Sequence, residues 1–211
     1  MKGFGNLLEG YRRFRANRFE SEKERFRELA EGQKPRAIVI ACCDSRADPA
    51  TIFDADPGEI FVVRNVANLV PPFEEASGGR HGVSAALEFA VTQLKVPEII
   101  VMGHERCGGI QAALTGCFHD AQPGEGGFVH RWMEQIDGPA SEIASTHGTG
   151  EDAARILEEV AIRQSLANLR TFPFVAKREA AGDLAILGCH FSIGDGELYL
   201  LDEADQAFRP V

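Results

Sequence analysis

Short apolar runs alternate with amphipathic segments along most of this chain. Predominantly apolar runs occupy residues 37–42, 59–63, 98–103 and 184–188, a pattern typical of strands buried on both faces of a sheet. Helical periodicity occupies residues 84–94, 109–114, 128–145 and 151–169. Because strands that alternate with helices favour parallel pairing, we predict an α/β fold: a central, mostly parallel β-sheet flanked by helices.

The two ends of the chain carry different patterns. Leu7, Leu8, Tyr11 and Phe14 recur at helical spacing, and a second helical pattern over residues 20–30 stops before Pro35. Residues 1–30 therefore predict an N-terminal helical arm. Residues 192–200 predict strand, turn and strand around Asp195-Gly196, and residues 116–128 predict a loop. With no linker visible, we expect residues 1–211 to form a single domain.

The charge balance narrows the class of partner. The formal net charge is −10, which argues against nucleic acid or an anionic membrane as a partner. No apolar run approaches membrane-spanning length, and the first residues meet a charge too soon for a secretion signal. Five cysteines, an odd number, argue against a secreted disulfide framework. We expect a cytoplasmic protein.

Two segments carry residues with metal-binding chemistry. Cys42 ends one predicted strand, and His104 and Cys107 follow another. Two sulfurs and one imidazole suit a tetrahedral zinc ion and leave its fourth position open, as in catalytic rather than structural sites. Since ligands of open α/β sheets bind at the carboxyl ends of the strands, the predicted fold and the predicted site agree. The alternatives are a closed structural zinc site and a redox thiol pair.

Asp44 and Arg46 adjoin the first candidate ligand. An aspartate two residues from an arginine can form a charge-assisted pair, in which the arginine orients the carboxylate and lowers its pKa. We expect this carboxylate either to accept a hydrogen bond from a zinc-bound water or to occupy the fourth zinc position itself. Strand alternation directs Cys43 to the opposite face, where simple packing is expected.

Three blocks, in order, resemble the β-class carbonic anhydrases: Cys42-x-Asp44-Ser45-Arg46, Arg64-Asn65-Val66-Ala67-Asn68 and Gly103-His104-x-x-Cys107-Gly108-Gly109. The resemblance implies reversible hydration of carbon dioxide to bicarbonate by a zinc-bound hydroxide, with Cys42, His104 and Cys107 as zinc ligands and Asp44 and Arg46 as the catalytic dyad. It implies a homodimer or tetramer whose N-terminal arm wraps a partner subunit. The implied substrate pocket contains Gln33, Phe61, Val66, Phe89 and Gly108, with Gln33 acting across the dimer interface.

The chain departs from the family pattern at two positions. Phe89 replaces a pocket tyrosine that many members have, so a hydroxyl contact is lost there. Val39 stands where members inhibited by bicarbonate carry a tryptophan, which argues against that regulation although Arg64 matches its site. Two alternatives to carbon dioxide hydration stay open: a carbonyl sulfide or carbon disulfide hydrolase on the same scaffold, and a zinc-binding or redox protein without activity.

Overall fold

The computed structural model describes residues 2–75 and 81–211. The chain divides into two compact units, residues 1–34 and residues 35–211. Residue 1 of the predicted arm lies outside the described residues. The organisation as a single domain stays a prediction.

The first unit is helical. It contains α1 (Lys2–Ala16), α2 (Arg18–Ser21) and α3 (Lys23–Glu31). The helices predicted near residues 7–14 and 20–30 are present, although the second is broken at Glu22 into α2 and α3. Phe14 packs against Phe19 and Phe26, with ring centroids 6.2 and 5.6 Å apart. Apolar side chains therefore connect the three helices.

The second unit is built on a six-stranded sheet in the order β2-β1-β3-β4-β5-β6. The first four strands in this order, β2, β1, β3 and β4, pair in parallel. The strands β5 and β6 are added antiparallel at one edge. This confirms the predicted mostly parallel sheet. The strands are β1 (Ala37–Cys42), β2 (Ile60–Asn65), β3 (Glu98–His104), β4 (Ala185–Phe191), β5 (Leu198–Asp202) and β6 (Ala207–Pro210).

Helices flank this sheet, as the periodicity predicts. They are α4 (Pro49–Ile52), α5 (Gly82–Glu88), α6 (Gly108–Thr115), α7 (Gly127–Met133), α8 (Asp137–His147), α9 (Glu151–Leu169) and α10 (Pro173–Ala180). A π-helical segment, Phe89–Leu94, continues α5, and short 3-10 segments cover Val66–Asn68 and Glu134–Ile136. Among the described residues, none of the helices has the length and apolarity needed to span a membrane.

The structure corrects the strand boundaries near the C-terminus. The strand before the Asp195-Gly196 turn is β4, which ends at Phe191, and the strand after the turn is β5, which begins at Leu198 and continues to Asp202. The helices α4 and α10 and the strand β6 were not predicted. All three are short, and β6 begins after a polar turn whose pattern gives no alternation to detect.

The long helix α9 packs directly on the centre of the sheet. Ile162 is fully buried, and its Cδ1 lies 2.7 Å from the position that a Cβ would take at Gly103 of β3. Its Cγ2 lies 2.8 Å from the corresponding position at Gly188 of β4. Glycine in both strands therefore allows this helix to approach the backbone just before the carboxyl edge of the sheet.

Candidate metal centre

The predicted metal residues meet at the carboxyl ends of two adjacent strands. Cys42 is the last residue of β1, His104 is the last residue of β3, and Cys107 immediately precedes α6. All three side chains are buried, with relative exposures of 6, 1 and 2%. Because β1 and β3 pair in parallel, their ends deliver these side chains to the same edge of the sheet.

The candidate ligand atoms form a tight cluster. The sulfur atoms of Cys42 and Cys107 are 3.8 Å apart, and the ligand atoms of all three residues lie within 4.8 Å of one another. Two sulfurs that are each bound to one tetrahedral zinc at the usual length would be separated by about 3.8 Å. The observed separation therefore suits ligation of a single ion.

The orientation of His104 leaves one ring nitrogen for a ligand. Its Nδ1 lies 2.9 Å from the carbonyl oxygen of Glu105, so this nitrogen donates and Nε2 carries the lone pair. Nε2 is buried and has no hydrogen-bond partner among the residues that the structure describes. A buried nitrogen without a hydrogen-bond partner, in a cluster with two sulfurs, is the arrangement expected of a metal ligand.

The two thiols share one negative charge. The hydrogen bond from Cys107 lowers the pKa of Cys42 to about 4, and the reciprocal interaction with Cys42, together with burial, raises the pKa of Cys107. Backbone N–H groups of Gly109 and Ile110 oppose that rise at Cys107, as expected at the start of a helix. For His104, burial lowers the pKa, but the neighbouring Cys42 and Glu105 outweigh it and the pKa is raised overall.

Arg46 fixes the carboxylate of Asp44 beside this cluster. Its Nε donates to Oδ1 at 3.0 Å and its Nη2 donates to Oδ2 at 2.8 Å, and its backbone N–H donates to Oδ1 at 2.9 Å. These bonds hold the pKa of Asp44 well below its usual range. Oδ2 lies 3.9 Å from His104 Nε2, so the oriented carboxylate faces the metal residues.

Arg64, on β2, holds the backbone of the same segment. Its Nε donates to the carbonyl of Cys42 at 2.9 Å, and its Nη2 donates to the carbonyl of Asp44 at 2.6 Å. Its Nη1 also pairs with Asp48 at 2.7 Å, which caps α4 through the N–H of Thr51. Sequence reasoning assigned Arg64 only to a regulatory site, whereas here it anchors the segment that carries Cys42 and Asp44.

Comparison with known proteins decides the family. The family model described as carbonic anhydrase matches residues 37–198, which include every residue of the metal cluster and of the Asp44–Arg46 pair. The chain belongs to the β-class carbonic anhydrases. It is 38% identical over 190 residues to the mitochondrial β-carbonic anhydrase 6 of Arabidopsis thaliana, covering 88% of this chain and 63% of that protein.

Solved structures of the family share the fold. The β-carbonic anhydrase CcaA superposes with a TM-score of 0.90 at 32% identity, covering 99% of this chain and 100% of that one. A β-carbonic anhydrase from Sordaria macrospora, described as tetrameric, superposes with a TM-score of 0.80 at 27% identity, covering 95% of this chain and 98% of that one. The six-stranded sheet is therefore the family fold.

The residues expected to line the substrate pocket fall into separate groups. Val66 lies against the metal loop, since its Cγ1 is 2.6 Å from where a Cβ would stand at Gly109, and Gly108 opens α6 next to Cys107. Phe61 and Phe89 contact each other, with ring centroids 6.0 Å apart. In the β1–β2 register Phe61 lies opposite Ile38, four residues before Cys42, or about 13 Å along the strand. One chain therefore does not bring Phe61 to its own metal cluster.

Two further predicted residues have different outcomes. Gln33 belongs to the first unit, just after α3, and its role at the site stays a prediction. Cys43 lies outside the metal cluster, as expected, but it is exposed rather than packed, because β1 ends at Cys42 and the chain turns away there.

Several residues that hold the loops of the site in place were not predicted from the sequence. Glu158 of α9 accepts a hydrogen bond from the backbone N–H of Cys107 at 3.0 Å, and its other oxygen lies 2.9 Å from His190 Nε2. Trp132 Nε1 donates to the carbonyl of Val66 at 2.7 Å. These contacts join residues far apart in sequence, and the only available signals were a carboxylate on the apolar face of α9 and a histidine within a strand.

Proposed function

We propose that this protein catalyses the zinc-dependent, reversible hydration of carbon dioxide to bicarbonate and a proton, as a carbonate dehydratase. The observation that carries the proposal is the buried cluster of Cys42, His104 and Cys107, whose ligand atoms lie within 4.8 Å of one another, beside a carboxylate oriented by Arg46. Membership of the carbonic anhydrase family supports the same reaction.

We assign Cys42 Sγ, His104 Nε2 and Cys107 Sγ as the groups that hold zinc. Two thiolates and one neutral imidazole are a common zinc donor set. Bound zinc supplies a Lewis acid that lowers the pKa of a water ligand and so makes a nucleophile available near neutral pH.

We assign Asp44 and Arg46 the positioning of that nucleophile. Asp44 stays ionised because Arg46 binds both of its oxygens, so Oδ2 can accept a hydrogen bond from the attacking water but cannot donate one. A lone pair of the water is then directed away from the carboxylate, towards the carbon of the substrate. Arg46 also donates to the carbonyl of Arg106 at 3.0 Å, which connects the dyad to the loop that carries Cys107.

The pocket itself is assigned to two subunits. Val66 and the N–H of Gly108 lie beside the metal residues of their own chain, and suit an apolar substrate and a product oxygen. Phe61 lies about 13 Å along the strand from that cluster, and Phe89, which contacts Phe61, is 45% exposed. We propose that a partner subunit supplies its Phe61, Phe89 and Gln33 to complete the pocket, in a homodimer or tetramer.

The cytoplasm is the proposed compartment. All five cysteines are free thiols, as expected in a reducing environment. Two of them are the proposed zinc ligands, which must be reduced to bind the ion.

Stopped-flow measurement of carbon dioxide hydration, on protein with verified zinc content, tests the function. We expect hydration by the wild type, loss of zinc in Cys42→Ser, and retained zinc with reduced hydration in Asp44→Ala. Full zinc occupancy without hydration would reject the proposal. Carbonyl sulfide and carbon disulfide serve as competing substrates in the same assay, although the relatives named carbonic anhydrases favour carbon dioxide.

A further inference from the structure

A buried carboxyl group stands directly behind the loop that carries Cys107. Glu158 is 3% exposed and projects from α9 towards the short segment between β3 and α6. Its Oε1 accepts the backbone N–H of Cys107 at 3.0 Å. Burying a carboxyl group is costly unless it is hydrogen-bonded, so the bond to the Cys107 N–H offsets part of the cost of placing Glu158 here.

The second oxygen of Glu158 meets a fully buried histidine. His190, on β4, is 0% exposed, and its Nε2 lies 2.9 Å from Glu158 Oε2. Thus α9, β4 and the metal loop are joined by one chain of hydrogen bonds from His190 through Glu158 to Cys107. Neither Glu158 nor His190 belongs to the proposed catalytic dyad of Asp44 and Arg46.

The segment that Glu158 holds is also constrained from its other sides. The N–H of Glu105 donates to the carbonyl of Phe191 at 2.9 Å, and the carbonyl of Arg106 accepts from Arg46. Arg106 itself has a left-handed backbone, with φ of 54°, a conformation that a non-glycine residue keeps only when its surroundings impose it. Of the three residues in this turn, Cys107 is the one whose N–H is fixed by a buried side chain.

We propose that Glu158 and His190 are positioning residues for the metal ligand Cys107. The His190–Glu158 pair fixes the backbone of Cys107, so that its sulfur stays 3.8 Å from that of Cys42 before zinc arrives. Residues that orient a metal ligand typically change metal affinity 10–100-fold, as an order of magnitude, when they are replaced. This inference rests on the proposed zinc function.

A purely structural role predicts a different result. Ser165 lies further along α9, is 0% exposed, and bonds to the loop after β2 through the N–H of Val70 and the carbonyl of Asn68, both at 3.2 Å. It therefore matches Glu158 in helix, burial and loop contact, but it touches none of the proposed metal ligands. Ser165→Ala is the control for a general loss of packing between α9 and a loop.

The test compares zinc dissociation constants of wild type, Glu158→Ala, Glu158→Gln and Ser165→Ala, measured by competition with a chromophoric chelator. We expect Glu158→Ala to raise the zinc dissociation constant about 10–100-fold. Glu158→Gln, which keeps an acceptor for Cys107 and a polar contact to His190, should restore affinity close to that of the wild type. Ser165→Ala should lower thermal stability without changing zinc affinity.

A double variant covers the case in which Glu158→Ala does not fold. Glu158→Met with His190→Leu replaces both polar groups by apolar ones, an exchange that buried polar pairs often tolerate. In the cobalt-substituted protein we expect its sulfur-to-cobalt charge-transfer bands to shift from those of the wild type, together with weaker zinc binding.

Wild-type zinc affinity and wild-type cobalt spectra in a folded variant that lacks the Glu158 acceptor would overturn the inference. Failure of the wild-type protein itself to bind zinc would instead reject the proposed function. The two failures are therefore distinguishable in the same titration.

Discussion

Arg46 binds both carboxylate oxygens of Asp44, through Nε at 3.0 Å and Nη2 at 2.8 Å. The pair is bidentate, and the backbone N–H of Arg46 adds a third bond to Oδ1. Planar pairing of this kind fixes direction as well as charge. Asp44 Oδ2 is thereby held on the side of His104, with 3.9 Å between Oδ2 and His104 Nε2.

Removal of the arginine should change the pH dependence of activity. In Arg46→Ala the pKa of Asp44 returns towards its ordinary value, because the guanidinium that lowers it is gone. The carboxyl group then protonates as the pH falls and can no longer act only as an acceptor. We expect hydration to decline at a higher pH than in the wild type, at unchanged zinc content.

The matched control is Arg36→Ala. Arg36 pairs with Glu59 at 3.1 Å and its side chain is 73% exposed, so its removal should leave the profile as it is. Stopped-flow assays that extend from neutral pH down to the ordinary pKa of an aspartate, about 3.9, make the comparison. Identical profiles for Arg46→Ala and wild type would contradict the assigned role.

Asp44→Ala should have the larger effect on rate. It removes the acceptor itself, and positioned groups of this type typically contribute about 10²–10⁴-fold. We expect kcat to fall at least ~10²-fold with zinc affinity retained, as shown by metal analysis. A drop in zinc content in proportion to activity would instead make Asp44 a ligand.

Zinc affinity should rise with pH. In the metal-free protein Cys107 holds its proton, because Cys42 and burial raise its pKa, and zinc must displace that proton to bind the sulfur. Calorimetric titration in buffers of different ionisation enthalpy should therefore show proton release on zinc binding. Binding without proton release would mean that both sulfurs are already deprotonated in the free protein.

Much of this site was accessible from the sequence because it is local. Cys42 and His104 each end an apolar run. In the structure β1 covers the predicted residues, and β3 is one residue longer than predicted because it includes His104. The long-range supports were not accessible: Glu158 and Cys107 are 51 residues apart, and no periodicity encodes a contact between a helix face and a loop. The family resemblance likewise placed Phe61 and Val66 in one pocket, whereas in the structure Phe61 lies near the start of β2 and Val66 follows its end.

Any side chain at Gly109 should lower the stability of the fold. A Cβ there would lie 2.6 Å from Val66 Cγ1 and 3.3 Å from Ala67 Cβ, and valine has little freedom to move aside. We expect Gly109→Ala to lose about 1–3 kcal/mol in the free energy of unfolding, as overpacked sites do. The change should also alter the emission of Trp132, the only tryptophan, which is bonded to the Val66 carbonyl.

Gly5→Ala is the control for this substitution. Gly5 also lies in a helix, but a Cβ there meets nothing within 4 Å. Replacement of an unconstrained helical glycine by alanine should stabilise by about 0.5–1 kcal/mol. Chemical denaturation of both variants measures the difference, and equal stabilities would show that the loop around Val66 adjusts freely.

A pocket shared between subunits makes a distinct prediction for mixed oligomers. Cys42→Ser lacks a proposed zinc ligand, and the double variant Phe61→Ala with Phe89→Ala lacks the aromatic pair, whose rings are 6.0 Å apart. In the proposed arrangement, the metal cluster of the aromatic-deficient chain would face the intact aromatic pair of the other chain of a mixed dimer. One site is then complete, although neither parent oligomer has such a site.

Co-expression of the two variants with different affinity tags, followed by tandem purification, isolates the mixed oligomer. We expect its hydration rate to exceed that of either parent. If Phe61 and Phe89 acted on the metal cluster of their own chain, both sites of the mixed dimer would be defective and mixing would restore nothing. The register of β1 and β2, which puts Phe61 opposite Ile38 rather than Cys42, favours restoration.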